Sequence, residues 1–357
     1  MKVIFIGDPH FQVSNLIEVD LFIEKMKKLC LEEKPDLIII AGDLLHTHER
    51  LHTVALNKAY EFINILRNIS KTIILVGNHD MCNNQQFLTE NHWMNAMKEW
   101  DNVVIVDKGY KLNIENVKIL FVPYVYPGRF VEALNIIDSE WKTSKCIFAH
   151  QEFQGCKMGA ITSIEGDKWD LKNPQVVSGH IHSRQVPQKN IYYSGSAMQH
   201  AFGESEKNVI PIITIEKDKF EINEIDLELS RKKIIYMDVK DLESFKSNDR
   251  EGDDIKLSIC GNFESFKALK KTKKYQELIK AGTKIVFKPT RKEIKINKDV
   301  LEKIQQENVQ NNSVENPNFD TILYSIILQE KNPFLYQAYE HVLNGKDFNE
   351  KTKVLLL

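Results

Sequence analysis

Ile73-Ile74-Leu75-Val76-Gly77-Asn78-His79-Asp80 is the stretch on which the reading of the whole chain turns. Four apolar residues, three of them β-branched, make a short buried strand. Gly77 then lets the backbone turn sharply and present Asn78, His79 and Asp80 beyond the strand's carboxyl end. In open α/β sheets that edge is where ligands bind. Alone, the segment would serve equally well as a turn followed by a helix cap. Its weight comes from recurrence.

The strand over residues 3–6 runs into Gly7-Asp8-Pro9-His10, and the strand over 37–41 runs into Gly42-Asp43-Leu44-Leu45-His46. Further along, Phe148-Ala149-His150-Gln151 and Val177-Ser178-Gly179-His180-Ile181-His182 again place histidines directly behind short apolar strands. Five strands therefore deliver His, Asp or Asn at the same end. Carboxylates, an amide oxygen and imidazoles are the ligands that first-row divalent metals take. In Asp8-x-His10 and His180-x-His182, residues two apart point to one side of an extended segment, so each pair can grip one ion. His48, His52, His92 and His341 lie outside this pattern and are expected on the surface or on helices.

Between these strand ends, Val19, Phe22, Ile23, Met26 and Cys30 recur at helical spacing, as do Leu56, Ala59, Phe62, Ile63 and Leu66. The first hundred residues are thus a βαβαβ core with a parallel sheet. After Trp100 strands dominate, at 103–106, 117–122, 146–149, 175–178, 191–194, 210–215 and 220–225. The expected fold is α/β (α+β): a two-sheet β-sandwich with helices outside.

With 357 residues, 42% hydrophobic, the chain has room for two or three domains with real cores. A net charge of -2 excludes a globally basic nucleic-acid binder but not a local patch. Five cysteines without a CxxC pair argue against a zinc ribbon or a disulfide framework and for a reducing compartment. No leader precedes the first strand and no apolar run approaches about 18 residues, so a soluble intracellular protein is expected, with no membrane contact.

The combination Asp8-x-His10, Gly42-Asp43-x-x-His46, Gly77-Asn78-His79-Asp80, His150 and Gly179-His180-x-His182 resembles the calcineurin-like metallophosphoesterase superfamily over residues 1–230. Tyr193-Ser194-Gly195-Ser196 and Phe202-Gly203-Glu204 resemble the corresponding endings of SbcD-type nuclease subunits, bacterial and phage proteins of DNA recombination and double-strand-break repair. His46 departs from the bacterial pattern, where Asp is common.

The resemblance implies two divalent metal ions, manganese by expectation. Asp8, His10 and His182 would hold one and Asn78, His150 and His180 the other, with Asp43 bridging. His79 would donate a hydrogen bond or proton to the phosphate or leaving oxygen, Asp80 would orient His79, and His46 would help position nucleic acid. It further implies 3′-to-5′ exonuclease activity on duplex ends and endonuclease activity on single strands. The partners implied are DNA and an SbcC-type ABC ATPase with a coiled coil; a homodimer is a further possibility. The setting would be cytoplasmic or nucleoid-associated, or an infected cell if the chain is phage or virus encoded. Two alternatives stand beside it: a phosphoesterase of small substrates, and a non-catalytic DNA-end-binding scaffold.

Beyond residue 230 a smaller strand-helix-strand unit is expected, with strands at 234–239, 255–259 and 283–288 and a helix over 263–281. It resembles a capping domain, taken here as residues 231–300. From Arg231 to Lys298 there are 19 Lys and Arg against 10 Asp and Glu, a surplus that suits a phosphate backbone. Lys270, Lys271, Lys273, Lys274, Lys288 and Arg291 are the candidates for DNA contact. Residues 301–318 read as a polar linker. Residues 319–357 read as two short amphipathic helices that must dock, because helices of that length do not persist alone in water.

Overall fold

The computed structural model describes residues 1–246 apart from 49, 115 and 206, residues 253–289, and the helical residues 323–324, 326–327, 335–336 and 338–339. The linker at 301–318, Arg291, His341 and most of the C-terminal segment lie outside the described residues. Residues 1–260 and 264–287 cluster as one compact unit.

The chain opens with β1 (Lys2–Ile6), α1 (Leu16–Glu33), β2 (Leu37–Ile40), α2 (Thr53–Arg67), β3 (Lys71–Leu75) and β4 (Val103–Val106). These strands pair in parallel, β1 with β2, β2 with β3 and β3 with β4. A second sheet follows from β5 (Tyr110–Ile114), β6 (Val117–Val122), α3 (Phe130–Ile137), β7 (Cys146–His150), the small hairpin β8 (Lys157–Met158) and β9 (Ile161–Thr162), then β10 (Gln175–Gly179), β11 (Gln185–Gln188) and β12 (Ile191–Tyr193). β13 (Ile210–Ile215) and β14 (Phe220–Ile225) return to the first sheet. The strand orders are β14-β13-β1-β2-β3-β4 and β11-β12-β10-β7-β6-β5.

Alternation along the strands explains why two sheets stack with helices outside. Val3, Phe5, Leu37, Ile39, Ile73 and Leu75 share a core with Ile119, Phe121, Phe148 and Val177 of the second sheet. Their neighbours Ile4, Ile6, Ile38, Ile40 and Ile74 point the other way, onto Phe22 and Met26 of α1 and Phe62 and Ile63 of α2. On the far face of the second sheet, Leu120, Val122, Ile147 and Ala149 cluster with Phe130, Leu134, Trp141 and Trp169. Strands buried on both faces read as unbroken apolar runs, which is what made them visible. Full burial of each such side chain contributes about 1.5–3 kcal/mol.

Some elements depart from the sequence reading. β5 and β11 were not anticipated: polar residues and Pro187 interrupt them, and each lies at a sheet edge. The helix expected over 263–281 is two, α4 (Phe263–Leu269) and α5 (Lys273–Lys280), because Thr272 caps the second by accepting from the Tyr275 amide at 3.3 Å. These helices accompany β15 (Lys232–Asp238), β16 (Asp254–Gly261) and β17 (Lys284–Pro289), a three-stranded sheet with its own apolar cluster of Val239, Leu242, Leu257, Ile259, Phe266 and Leu269.

Candidate metal centre

β1, β2 and β3 run parallel, and so do β7 and β10 in the other sheet. All five therefore end on one edge of their sheet, and the contacts below show the two edges meeting. Backbone hydrogen bonds fasten the first two loops together: His10 N–H to Asp43 O at 2.9 Å, Phe11 N–H to Leu44 O at 2.8 Å and His46 N–H to Phe11 O at 3.2 Å. Asp8, His10, Asp43 and His180 all hold positive φ, at 34°, 47°, 50° and 79°. Such conformations cost about 1–3 kcal/mol each and persist where the surroundings over-determine them, commonly at functional sites.

Two donor sets assemble around Asp43. Asn78 Oδ1 lies 3.0 Å from His150 Nε2 and 2.9 Å from His180 Nδ1. His10 Nε2 lies 3.0 Å from His182 Nε2. Asp43 Oδ2 reaches both sets, 3.4 Å from His150 Nε2 and 3.6 Å from His10 Nε2. Asp8, fully buried, accepts from the His180 amide at 3.0 and 3.1 Å and lies 3.4 Å from His150 Nδ1. One ligand atom each from Asp43, His150 and His180 fall within 4.8 Å of one another, and so do those of His10, His46 and His79.

The donor chemistry fits divalent cations. His150 Nδ1 meets the Ala41 carbonyl at 2.8 Å, so in the neutral ring Nδ1 carries the hydrogen and Nε2 turns a lone pair toward Asn78 Oδ1 and Asp43 Oδ2. His10 and His182 face each other through Nε2, where at most one can donate. Lone pairs converging in a buried space call for positive charge between them. The titrating groups of the cluster shift in different directions. Burial disfavours the His150 imidazolium, yet Asp43 and Asp8 outweigh it and lift the group to about 9. Burial pushes the Asp8 carboxyl up to about 6 and takes His180 down to about 3 with help from His150. Asp43 is penalised by burial but held well below the ordinary carboxylate range by His150 and His10.

All seven residues expected as metal ligands, Asp8, His10, Asp43, Asn78, His150, His180 and His182, thus lie in one cluster. His79 is half-buried beside it, its ring 4.8 Å from that of His10 and its Nδ1 2.6 Å from the His46 carbonyl. Its amide donates to Asp43 Oδ1 at 2.8 Å.

Asp80 does not face the His79 ring as expected. Its Oδ2 accepts from the amides of Asp43 (2.8 Å) and Gly77 (3.1 Å), and its Oδ1 from the Trp93 indole (2.9 Å). The His46 carbonyl occupies the place expected of that carboxylate, so His46 touches His79 through its backbone, while its ring lies 5.7 Å away. Gly77 likewise serves otherwise than expected. Its φ is not positive; a Cβ there would collide with Asp43 Oδ1 and the Asp43 amide. Gly42, at φ +109°, is the glycine that takes the left-handed turn.

His48, expected on the surface or on a helix, and His200, to which the sequence reading gives no role, both lie beside the centre. His48 stacks on His79 at 4.3 Å, and His200 lies 4.9 Å from His10 with Nε2 3.0 Å from the Asp8 carbonyl. Neither follows a strand end, so the pattern had no hold on them. His92 is not a surface residue: its side chain is enclosed and pairs with Asp107 at 3.2 Å, whereas His52 caps α2. Glu204, on the Phe-Gly-Glu segment, reaches His182 Nδ1 at 3.3 Å and is drawn down to about 2: burial opposes the charge, but His182 and the amides of Ala201 and His200 outweigh it. Of the candidate DNA contacts, Lys270, Lys271, Lys273 and Lys288 are exposed, and Lys274 is half-exposed.

The model of the calcineurin-like phosphoesterase family matches residues 1–184. Protein 244L of Invertebrate iridescent virus 6, which carries the name of a phosphoesterase, is 54% identical over 282 residues, covering 76% of this chain and 98% of that protein. Protein 078R of Invertebrate iridescent virus 3, similarly named, is 48% identical over 294 residues, covering 81% and 84%. Among solved structures, similarity extends to Yfce, a phosphoesterase from E. coli, at 14% identity and TM-score 0.32, covering 64% of this chain and 94% of that one. GAP50, the anchor in the inner membrane complex of Plasmodium, matches at 11% identity and TM-score 0.40, covering 64% and 85%.

Proposed function

The chain belongs to the calcineurin-like phosphoesterase family, a family of metal-dependent hydrolases, and from that premise we propose that it is a two-metal phosphodiesterase acting on DNA, a nuclease of the SbcD type. The observation that carries the two-metal reading is the position of Asp43 Oδ2 between the His10 side and the Asn78–His150–His180 side. Asp8, His10 and His182 would hold one ion, Asn78, His150 and His180 the other, with Asp43 shared and manganese as the ion. Bound there, such a pair supplies charge neutralisation of the phosphoryl group and activation of water.

The chain's own residues do the rest. Because the His46 carbonyl can only accept, His79 Nδ1 carries a hydrogen, which leaves Nε2 to hold or release a proton toward the phosphate or leaving oxygen. His46 fixes the ring that performs this step. Asp80, holding the Asp43 and Gly77 amides, sets where the shared carboxylate stands. Support for DNA over a small substrate comes from the surplus of Lys and Arg between 231 and 298. A 3′-to-5′ exonuclease and single-strand endonuclease, an ABC-type ATPase partner docked by the C-terminal segment, and a homodimer belong to the same proposal.

Purified protein with manganese and labelled duplex or hairpin DNA tests it. Cleavage by the wild type and a loss of about 10²–10⁴-fold in His79→Ala would support the proposal. Hydrolysis of p-nitrophenyl phosphate without DNA cleavage would overturn the nuclease reading. Deletion after Gln305 should retain cleavage and lose ATPase association.

A further inference from the structure

Glu204 approaches the centre from a segment that none of the five strand ends supplies. Its Oε1 is 3.3 Å from His182 Nδ1, and its Oε2 accepts from the amides of His200 at 2.8 Å and Ala201 at 3.0 Å. Both oxygens are engaged, so the carboxylate has one placement. On the other side of the His182 ring, Nε2 faces His10.

The turn bearing Glu204 is itself tied to the three-stranded sheet. Gln199 Oε1 accepts from the Lys232 amide at 2.7 Å, while Gln199 Nε2 donates to the Lys232 carbonyl at 3.0 Å and to the Glu204 carbonyl at 3.3 Å. The side-chain amide thereby pairs with β15 as a strand residue would. Lys256 of β16 and Lys284 of β17 place their ammonium groups 5.7 and 5.0 Å from the Phe202 ring. The turn is thus held on one side through the Glu204 carboxylate and on the other through the Gln199 side chain.

We infer that Glu204 is a positioning residue for His182, and that Gln199 fixes it by anchoring its turn to β15, so that the affinity of one ion of the pair is set from the small sheet. The inference rests on the reading of His182 as a metal ligand. The partner of the non-ligating nitrogen sets the tautomer and orientation of a ligating imidazole, and its loss costs about 10–100-fold in metal affinity. Glu204→Gln keeps the size and an accepting oxygen but removes the charge.

Titration calorimetry of the full chain with manganese provides the test. Wild type should bind two ions. Glu204→Gln should weaken one by about 10–100-fold and leave the other unchanged; Gln199→Leu should weaken the same one. Nitrogen-15 spectra should show His182 as the Nδ1–H tautomer in wild type and as a mixture in Glu204→Gln. A purely structural role would lower the melting temperature and alter neither the ratio of the two affinities nor the tautomer. Equal affinities in wild type and Glu204→Gln, or equal weakening at both sites, would overturn the inference while leaving the two-metal reading intact. Unchanged uptake by His182→Ala would overturn both.

Discussion

Asp43 stands where the side chain of residue 77 would otherwise be, and this decides what each residue can be changed to. A methyl on Gly77 would meet Asp43 Oδ1 and the Asp43 backbone amide together, so the carboxylate cannot give way alone and the loop that carries it must shift as well. Gly77→Ala should therefore lose about 10²-fold or more in phosphodiester hydrolysis, the scale of a 1 Å misplacement, with manganese uptake and stability both lowered in the same preparation. Loss of Asp80 strands the amides of Asp43 and Gly77 and the Trp93 indole in a buried setting; each unsatisfied donor costs about 1–3 kcal/mol. Urea unfolding of the metal-free protein should thus show Asp80→Ala as less stable by about 3 kcal/mol or more, whereas His79→Ala, whose half-buried ring gives up one bond to the His46 carbonyl, should fall by about 1 kcal/mol. Equal stabilities of the two variants would contradict this division of labour. None of this was visible in the order of residues. Gly-Asn-His-Asp announces a turn with polar groups, but which neighbour each group meets is fixed by loops that lie dozens of residues away.

Elements were easier to read than contacts. β1, β2, β3, β7 and β10 are each buried on both faces, so their apolar runs and the residues just past them could be found without knowing the fold. What failed was whatever carried no such run. β5 and β11 contain no fully buried residue and lie at sheet edges, and Thr272 breaks a helical pattern whose spacing is otherwise continuous. His92 is a further example, since its burial depends on Asp107 past the end of β4. Asp107 accepts from His92 at 3.2 Å and from Lys98 at 2.6 Å, with its side chain 10% exposed. Burial alone would raise this carboxyl, but the hydrogen bonds from Lys98 and His92 outweigh it and hold it below the ordinary value of 3.8. A depressed acid pKa means stability present above the unfolded pKa and lost as pH falls through the folded one. At pH 7, Asp107→Asn should be less stable by about 1–2 kcal/mol, a charge-assisted bond discounted for its exposure. The gap should close below about pH 4, as thermal melts across pH would record. A gap independent of pH would assign the effect to packing.

At the scale of the whole molecule, two sheets packed face to face over a shared apolar core bring their strand ends together, so that their loops share one set of ligands. Asp8, Asp43 and Asn78 come from the first sheet and His150, His180 and His182 from the second, so a cation held among them ties the two sheets together in the native state and has no counterpart in the unfolded chain. Ions that bind only the folded form stabilise it by about 2.7 kcal/mol per site at a hundredfold excess over the dissociation constant. Manganese should accordingly raise the melting temperature in two separable increments, and a chelator should remove both. The residues divide the increments unequally. His180→Ala removes a donor from one set only and should keep the other increment. Asp43→Asn weakens the carboxylate that reaches both sets and should reduce both, even though it disturbs less volume than the histidine change. Magnesium or calcium, which favour oxygen ligands over imidazole, should produce a smaller shift at equal concentration. A melting curve indifferent to manganese, or an Asp43→Asn protein that keeps one full increment, would show that the two loop sets do not share an ion-binding carboxylate.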